Sequence, residues 1–278
     1  MTDRKLNFVF QFILVVLFVL VANPFDKVQI LFGLVLAWAV ARVVFLNKWL
    51  SLDGAWAATI VGTVALGIGG SEPTVILLTF FISSNILAVL LTTRHSGSIP
   101  RELRERRDGI QVWSNAFWFV LFIILSYLLH SEHLYLMAVA GIAVATSDTW
   151  ATLFGIRLAP NGTRIITTWK KAEAGSEGGI SLPGTFAGLL GAVLIGFVLL
   201  LFPRENRYAA LIAVITGGFS GCMVDSYLGA AFQSRNRFFS VGRNNSWPIG
   251  NDMVNWLSSG AGAVICLILY TILDYVLV

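Results

Sequence analysis

Three aspartates sit where an apolar chain least tolerates a charge. Asp148 is the only acidic or basic side chain in the stretch 134–156, LYLMAVAGIAVATSDTWATLFGI. Asp225 repeats the pattern within GGFSGCMVDSYLGAAFQ, and Asp252 opens the last apolar segment in NDMVN. A charge deep in a membrane helix costs about 2.5–3.5 kcal/mol on insertion scales, so such residues usually face a bundle interior, a cation or a water-filled site. Asp148 is about eight residues from the end of its segment, roughly 12 Å at about 1.5 Å per residue, and Asp225 lies at a similar depth measured from Arg235. In the last segment Asn251 and Asn255 are four apart and Asp252 and Asn255 three apart, so one helix face offers a carboxylate and two amides. Asp148, Asp225 and Asp252 are therefore expected to converge beneath one surface as a metal site. Hard oxygen ligands without histidine or cysteine favour magnesium over zinc or copper.

The loops next to these acids carry the complementary groups. Residues 157–181, RLAPNGTRIITTWKKAEAGSEGGIS, combine Arg164, Lys170, Lys171 and Glu177 with a glycine cluster. Residues 94–113 form RHSGSIPRELRERRDGIQVW; the central RELRERR reads as an amphipathic surface helix, whereas Arg107 abuts the next helix, where Asn115 follows about two turns later. The third loop, 233–250, is rich in Arg and Asn. Carboxylates that hold magnesium, beneath basic and glycine-rich loops, are what phosphoryl or nucleotidyl transfer requires. Arg107, Arg164, Lys170 and Lys171 are expected to bind nucleotide or lipid phosphates, with ordinary topology as the competing explanation for each. Glu177 is expected at the mouth of the cavity, on a turn that Gly175, Gly178 and Gly179 permit by positive φ or close backbone approach. This turn is not a Walker loop, since the GK[ST] ending is missing.

Composition decides what must position these residues. The chain has 278 residues, 56% apolar and 12% charged, with a mean hydropathy of +0.78. It reads as an all-α, polytopic transmembrane bundle of about nine helices, over roughly 6–22, 28–46, 53–70, 73–93, 114–130, 134–155, 182–202, 208–230 and 251–273. Period-two alternation, the mark of a membrane barrel, is absent. With the amino terminus taken as cytoplasmic, 16 of the 19 Lys and Arg residues fall on that side, and only Lys27, Arg204 and Arg207 on the other. That positive-inside bias places the amino terminus and the active face in the cytoplasm. Basic cytoplasmic loops suit anionic lipid or a polyanionic ligand, so nucleic acid is not needed to explain the charge. Residues 1–22 read as an uncleaved first helix, because Ala22-Asn23-Pro24 is a poor cleavage site. Cys222 and Cys266 lie in apolar segments and suggest neither a disulfide nor a thiolate metal site. His95, His130 and His133 sit at helix ends or in loops, and no catalytic work is expected of them. The whole chain is expected to be one integral membrane domain, with 1–50 a peripheral helix pair and 51–278 the core.

At these same residues a family resemblance appears. SDTWATLFG (147–155), ITTWKKAEAGSEGGISLPGTFAGLLGA (166–192), VDSYLGAAFQ (224–233) and NDMVN (251–255) resemble successive motifs of the integral membrane family labelled domain of unknown function ninety-two. SLDGAWAATIVG (51–62) and RRDGIQVWSNA (106–116) resemble its upstream motifs, so the likeness runs in order through most of the chain. That family includes the plant and cyanobacterial phytyl-phosphate kinase, which makes a prenyl diphosphate from the monophosphate with a nucleoside triphosphate, and it is distantly similar to CTP-using phytol and dolichol kinases. The resemblance implies a magnesium-dependent prenyl-phosphate kinase using a nucleoside triphosphate such as CTP, with an isoprenoid or lipid phosphate as acceptor. Carried over, the family's acidic positions fall on Asp148, Glu177, Asp225 and Asp252, and its amides on Asn115, Asn251 and Asn255. In one place this chain departs: Leu153 stands where many members have a glutamate, and a carboxylate there, one helical turn plus one residue beyond Asp148, is expected roughly on the same face. Two readings compete with the enzyme. Buried acids on glycine-rich helices also serve ion-coupled secondary transporters, and Leu153 leaves room for a non-catalytic lipid-binding protein.

Overall fold

The structure, a computed structural model, describes residues 2–92, 106–232, 238–240, 246–248 and 250–277. Arg94, Arg101, Arg104, Arg235, Arg237 and Arg243, which contribute to the expected charge bias, lie outside the described residues. Nine helices fill the described chain: α1 (Thr2–Val16, continued by a π-helical turn Leu17–Val21), α2 (Pro24–Leu46), α3 (Leu52–Thr63, continued by a π-helical turn Val64–Ile68), α4 (Ser71–Thr92), α5 (Gly109–Leu129), α6 (Glu132–Leu158), α7 (Leu182–Leu199), α8 (Arg207–Ala231) and α9 (Asn251–Leu277). Eight of these are long and apolar enough to cross a membrane. The stretch expected at 53–70 is the shorter apolar helix Leu52–Ile68.

Side-chain caps set where the helices begin. Ser51, Ser131 and Ser181 each accept a first-turn amide, and Asp108 forms a capping box with Gln111. Such residues satisfy N–H groups that the helix itself leaves unpaired. His130 closes α5 in the left-handed region at φ 49°.

Contacts between the helix ends show how the chain is threaded. Asn7 of α1 accepts the Trp113 Nε1–H of α5 at 2.7 Å, so the starts of both helices share one end of the bundle. Ser51, at the start of α3, bonds the backbone of Arg107 just before α5. At the other end Arg204, between α7 and α8, meets Glu72 at the start of α4 and Glu132 at the start of α6. Helix α3 therefore traverses the bundle from the first end to the second despite its length. Among the described residues, α1 begins and α9 ends at opposite ends of the bundle.

Helix α6 is the axis of the fold. Every residue from 136 to 147 is buried. Helix α7 packs on it through small residues: Ser147 Oγ donates to Gly188 O at 2.8 Å, and a Cβ on Gly184 would sit 2.8 Å from Ala151 O. Helices α8 and α9 approach as closely, since a Cβ on Gly217 would lie 2.6 Å from Gly262 O. In lipid, where apolar burial hardly distinguishes protein from solvent, such close backbone packing drives association. Helices α1 and α2 keep most of their length exposed, as a lipid-facing pair would.

Candidate functional site

The small residues that let α6, α7, α8 and α9 approach also leave a gap at the end where α6 and α8 finish and α7 and α9 begin. A cavity of about 190 Å³ opens there. Asp148 lines it from α6, Asp225 from α8, and Asn251, Asp252 and Asn255 from the first turns of α9. Arg107, Gln111 and Asn115 enter from the start of α5. The segment 175–181, which runs into α7, forms a further part of the wall.

Asp148 follows the buried run of α6, and Thr149, Ala151, Thr152, Gly155 and Ile156 extend its face along the cavity wall. The Asp225 carboxylate accepts a hydrogen bond from Ser258 Oγ of α9 at 2.9 Å. The Asp148 and Asp225 carboxylates are close enough to repel each other, and each also feels Glu177. Asp252 shares the cavity wall, yet among the described residues no three His, Cys, Asp or Glu side chains form a group that could by itself hold a metal ion. Asp148, Asp225 and Asp252, expected to converge, line this one cavity. Asp148 and Asp225 form a carboxylate pair with Glu177 nearby; Asp225 lies six residues from the end of α8, and Asp252 is in the first turn of α9.

The opposing charge is Arg107. Its guanidinium makes no ion pair among the described residues, and burial lowers its pKa from the usual arginine value. It nevertheless remains a cation at neutral pH, since arginine is not deprotonated in proteins.

The loop 159–181 divides its residues between two roles. Strand β1 (Arg164–Ile165) pairs antiparallel with β2 (Gly179–Ile180), and the chain between them turns twice. The first turn closes through Trp169 N–H to Ile165 O at 2.8 Å and Ile165 N–H to Lys170 O at 3.0 Å, while Arg164 Nη1 donates to Trp169 O at 2.8 Å. Arg164, Lys170 and Lys171 are exposed on this projection and do not line the cavity. The second turn brings Gly175, Ser176, Glu177, Gly178 and Gly179 to the cavity. Gly175 and Gly178 have positive φ, 84° and 70°. Gly178 also lies so close to the end of α8 that a Cβ would sit 2.3 Å from that of Ala230. Gly179 has ordinary φ and needs its small size instead, with Ser176 O and Thr163 Cγ2 each 2.7 Å from the Cβ position. Sequence reasoning missed the hydroxyls Thr149, Thr152, Thr163, Ser176, Ser181, Thr185 and Ser226 on this wall. Serine and threonine are so common in membrane helices that only the fold distinguishes those facing a cavity.

Leu153 is 2% exposed and does not reach the cavity. Five residues along a helix turn by about 140° relative to the starting position, so Leu153 lies round the helix from Asp148 and points into the packed bundle. The expectation that a carboxylate at 153 shares the face of Asp148 fails on this geometry.

A helical membrane bundle with an acid-bearing polar cavity at one end is the class of protein these features define. Residues 35–263 match the family described as integral membrane protein DUF92, and the chain belongs to that family. It is 28% identical over 245 residues to an uncharacterized membrane protein of Methanocaldococcus jannaschii, covering 87% of this chain and 95% of the relative. Two Arabidopsis thaliana proteins are also similar: protein PGR, 23% identical over 74% of this chain and 79% of its own length, and the chloroplastic protein VTE6, 25% identical over 79% of this chain and 65% of its own. No solved structure matches the chain.

Proposed function

We propose that this protein is a membrane phosphotransferase that converts a prenyl monophosphate, of phytyl type, into its diphosphate with a nucleoside triphosphate such as CTP and magnesium. The observation that carries this reading is the meeting, in one cavity at a bundle end, of a repelling carboxylate pair, an arginine that has no carboxylate partner among the described residues, and a glycine turn. The resemblance of the motifs to phytyl-phosphate kinase supports it.

The donor set suits magnesium carried on phosphate. This ion is commonly held by one or two carboxylates together with substrate phosphates and water, not by a closed protein cage. Asp148 and Asp225 would hold it, with Glu177 reaching it directly or through water. Held there by Asp148 and Asp225, magnesium would supply positive charge to offset that of the phosphates. Arg107 binds the transferring phosphate, where a guanidinium meets phosphate oxygens with paired donors. Ser176 and Gly179 N–H already donate within the turn, to Glu173 O and Ser176 O, so the amides of Gly175 and Gly178 are the ones to hold remaining phosphate oxygens. An oxygen of the prenyl phosphate attacks the terminal phosphorus of the nucleotide; the new P–O bond forms as the bond to the nucleoside diphosphate breaks.

At about 190 Å³ the cavity is smaller than the roughly 300–1,000 Å³ of pockets that enclose a whole small molecule, so it suits the reacting phosphates. The nucleoside and the prenyl chain then lie outside it. Phe80 of α4 and Ile156 of α6 are, with Ile180 and Met223, the large apolar groups of the wall, and they suit the first carbons of a chain that continues into lipid. Lys5, Arg42, Lys48, Arg106, Arg107 and Arg157 lie towards the cavity end, which the positive-inside rule assigns to the cytoplasm.

The test is turnover. Purified protein in detergent is given magnesium, CTP or ATP, and phytyl or geranylgeranyl phosphate, and the products are separated by mass. Prenyl diphosphate formed in proportion to enzyme, and stopped by chelation of magnesium, is the expected result. No diphosphate with any nucleotide overturns the reading.

A further inference from the structure

The segment that precedes and opens α3 contributes nothing to the cavity wall, yet it grips a residue that does. Arg107 N–H donates to Trp49 O at 3.1 Å, and Ser51 N–H donates to Arg107 O at 3.0 Å, forming a parallel bridge between Leu50 and Arg107. Asp53 fastens the next residues. Its Oδ2 accepts Gly109 N–H at 3.1 Å, and its Oδ1 accepts Ser51 Oγ–H at 2.8 Å. The same Ser51 Oγ accepts Gly54 N–H at 3.1 Å. Gly54 lies against this backbone so closely that a Cβ would come within 2.4 Å of Arg107 O.

The first amides of a helix have no partner within it. Asp108 serves the Gln111 amide of α5 through its capping box, so Gly109 N–H needs another acceptor, and Asp53 supplies it from 56 residues away. A carboxylate is favoured there by the helix dipole as well. The grip therefore fixes the start of α5 in height and rotation. Arg107 is the residue held, and Gln111 follows one turn later on the cavity wall.

We propose that Asp53 is a positioning residue, acting with Gly54 to set Arg107 and the first turn of α5 over the cavity for binding phosphate. The phosphate role of Arg107 rests on the function proposed above; the mechanical role of Asp53 does not. A displacement of about 1 Å at a binding group is enough to cost on the order of a hundredfold in rate. Asp53 thus acts on the ligand through Arg107 without touching it.

Two measurements separate this from a general contribution to stability. The first is a double-mutant cycle on the affinity for magnesium–CTP. Asp53→Ala and Arg107→Gln are each expected to weaken binding at least tenfold, and the double variant to bind no more weakly than Arg107→Gln alone. Asp53→Asn, which keeps an acceptor for Gly109 N–H, is expected to restore most of the affinity, while Gly54→Ala with Asp53 intact reproduces the defect. Losses that multiply in the double variant, or an Asp53→Ala affinity within twofold of wild type, overturn the proposal.

The second measurement needs no ligand. Gln111→Cys and Thr152→Cys are labelled separately with a water-soluble thiol reagent, the native Cys222 and Cys266 being buried. Adding Asp53→Ala or Gly54→Ala is expected to change the labelling rate at position 111 at least threefold and to leave that at 152 unchanged. Unchanged rates at both positions overturn the positioning role. A wild-type protein that binds no nucleotide overturns the kinase reading instead, and the labelling result then decides the role of Asp53 alone.

Discussion

Arg107 and Arg204 occupy opposite ends of the same bundle and are treated in opposite ways. Arg204 has a side chain only 5% exposed and is engaged by Glu72 and Glu132, with its guanidinium over the Tyr135 ring at 5.5 Å. Its charge is consumed in joining the starts of α4 and α6 to the loop before α8. Arg107 has no carboxylate partner among the described residues, although Asp148 and Asp225 share its cavity. At that end like charges are held near one another and opposite charges are held apart. Such an arrangement is costly unless a ligand with both phosphate oxygens and a cation completes it. The contrast teaches that an intramembrane charge is informative through what neutralises it, not merely through its presence.

Breaking the cavity end is expected to have the largest effect. Asp148→Asn and Asp225→Asn should each lower prenyl diphosphate formation by about a hundredfold or more, while thermal unfolding in detergent stays close to wild type, because each substitution removes part of a repulsive pair. Near-normal turnover in both would show that the pair serves packing alone.

Leu153→Glu asks whether any acid added to α6 can join the site. Leu153 is packed away from the cavity, so the new carboxylate is expected to destabilise the fold by about 3–5 kcal/mol as an unpaired buried charge, read as a lower unfolding temperature with no gain in turnover. A rise in turnover or magnesium affinity would restore position 153 to the site.

At the other end, Arg204→Leu is expected to cost about 1–3 kcal/mol of stability, less than a fully buried pair because Glu132 is 44% exposed. The protein that remains folded should bind magnesium–nucleotide within twofold of wild type. A loss of affinity as large as that of Arg107→Gln would erase the distinction between the two ends. The smallest effect is expected from Lys170→Ala combined with Lys171→Ala: on an exposed projection these charges are worth a few tenths of a kcal/mol, about a twofold change in nucleotide affinity.

These expectations also mark what the sequence alone could show. The helical class was legible because apolar runs of spanning length leave few other folds. Asp148, Asp225 and Asp252 were legible as a group because each interrupts or opens such a run. Gly175 and Gly178 were legible as turn formers, since positive φ is rarely open to other residues. The separation of Arg164, Lys170 and Lys171 from Glu177 was not, because it depends on how the chain between β1 and β2 divides into two turns. The role of Asp53 was not legible; its partner Gly109 lies 56 residues away, and no local pattern announces a contact at that distance. Leu153 was misplaced for a simpler reason, a five-residue step that looks near in sequence but lies well round the helix.

The most direct measurement is an experimental structure of the protein with magnesium, a non-hydrolysable nucleoside triphosphate and phytyl phosphate bound. The account predicts both reacting phosphates in the cavity between Arg107 and the Asp148–Asp225 pair, against the 175–179 turn, with the prenyl chain leaving past Phe80 and Ile156. A triphosphate seated instead on the Arg164, Lys170 and Lys171 projection, or phosphates bound at the Arg204 end, would contradict it.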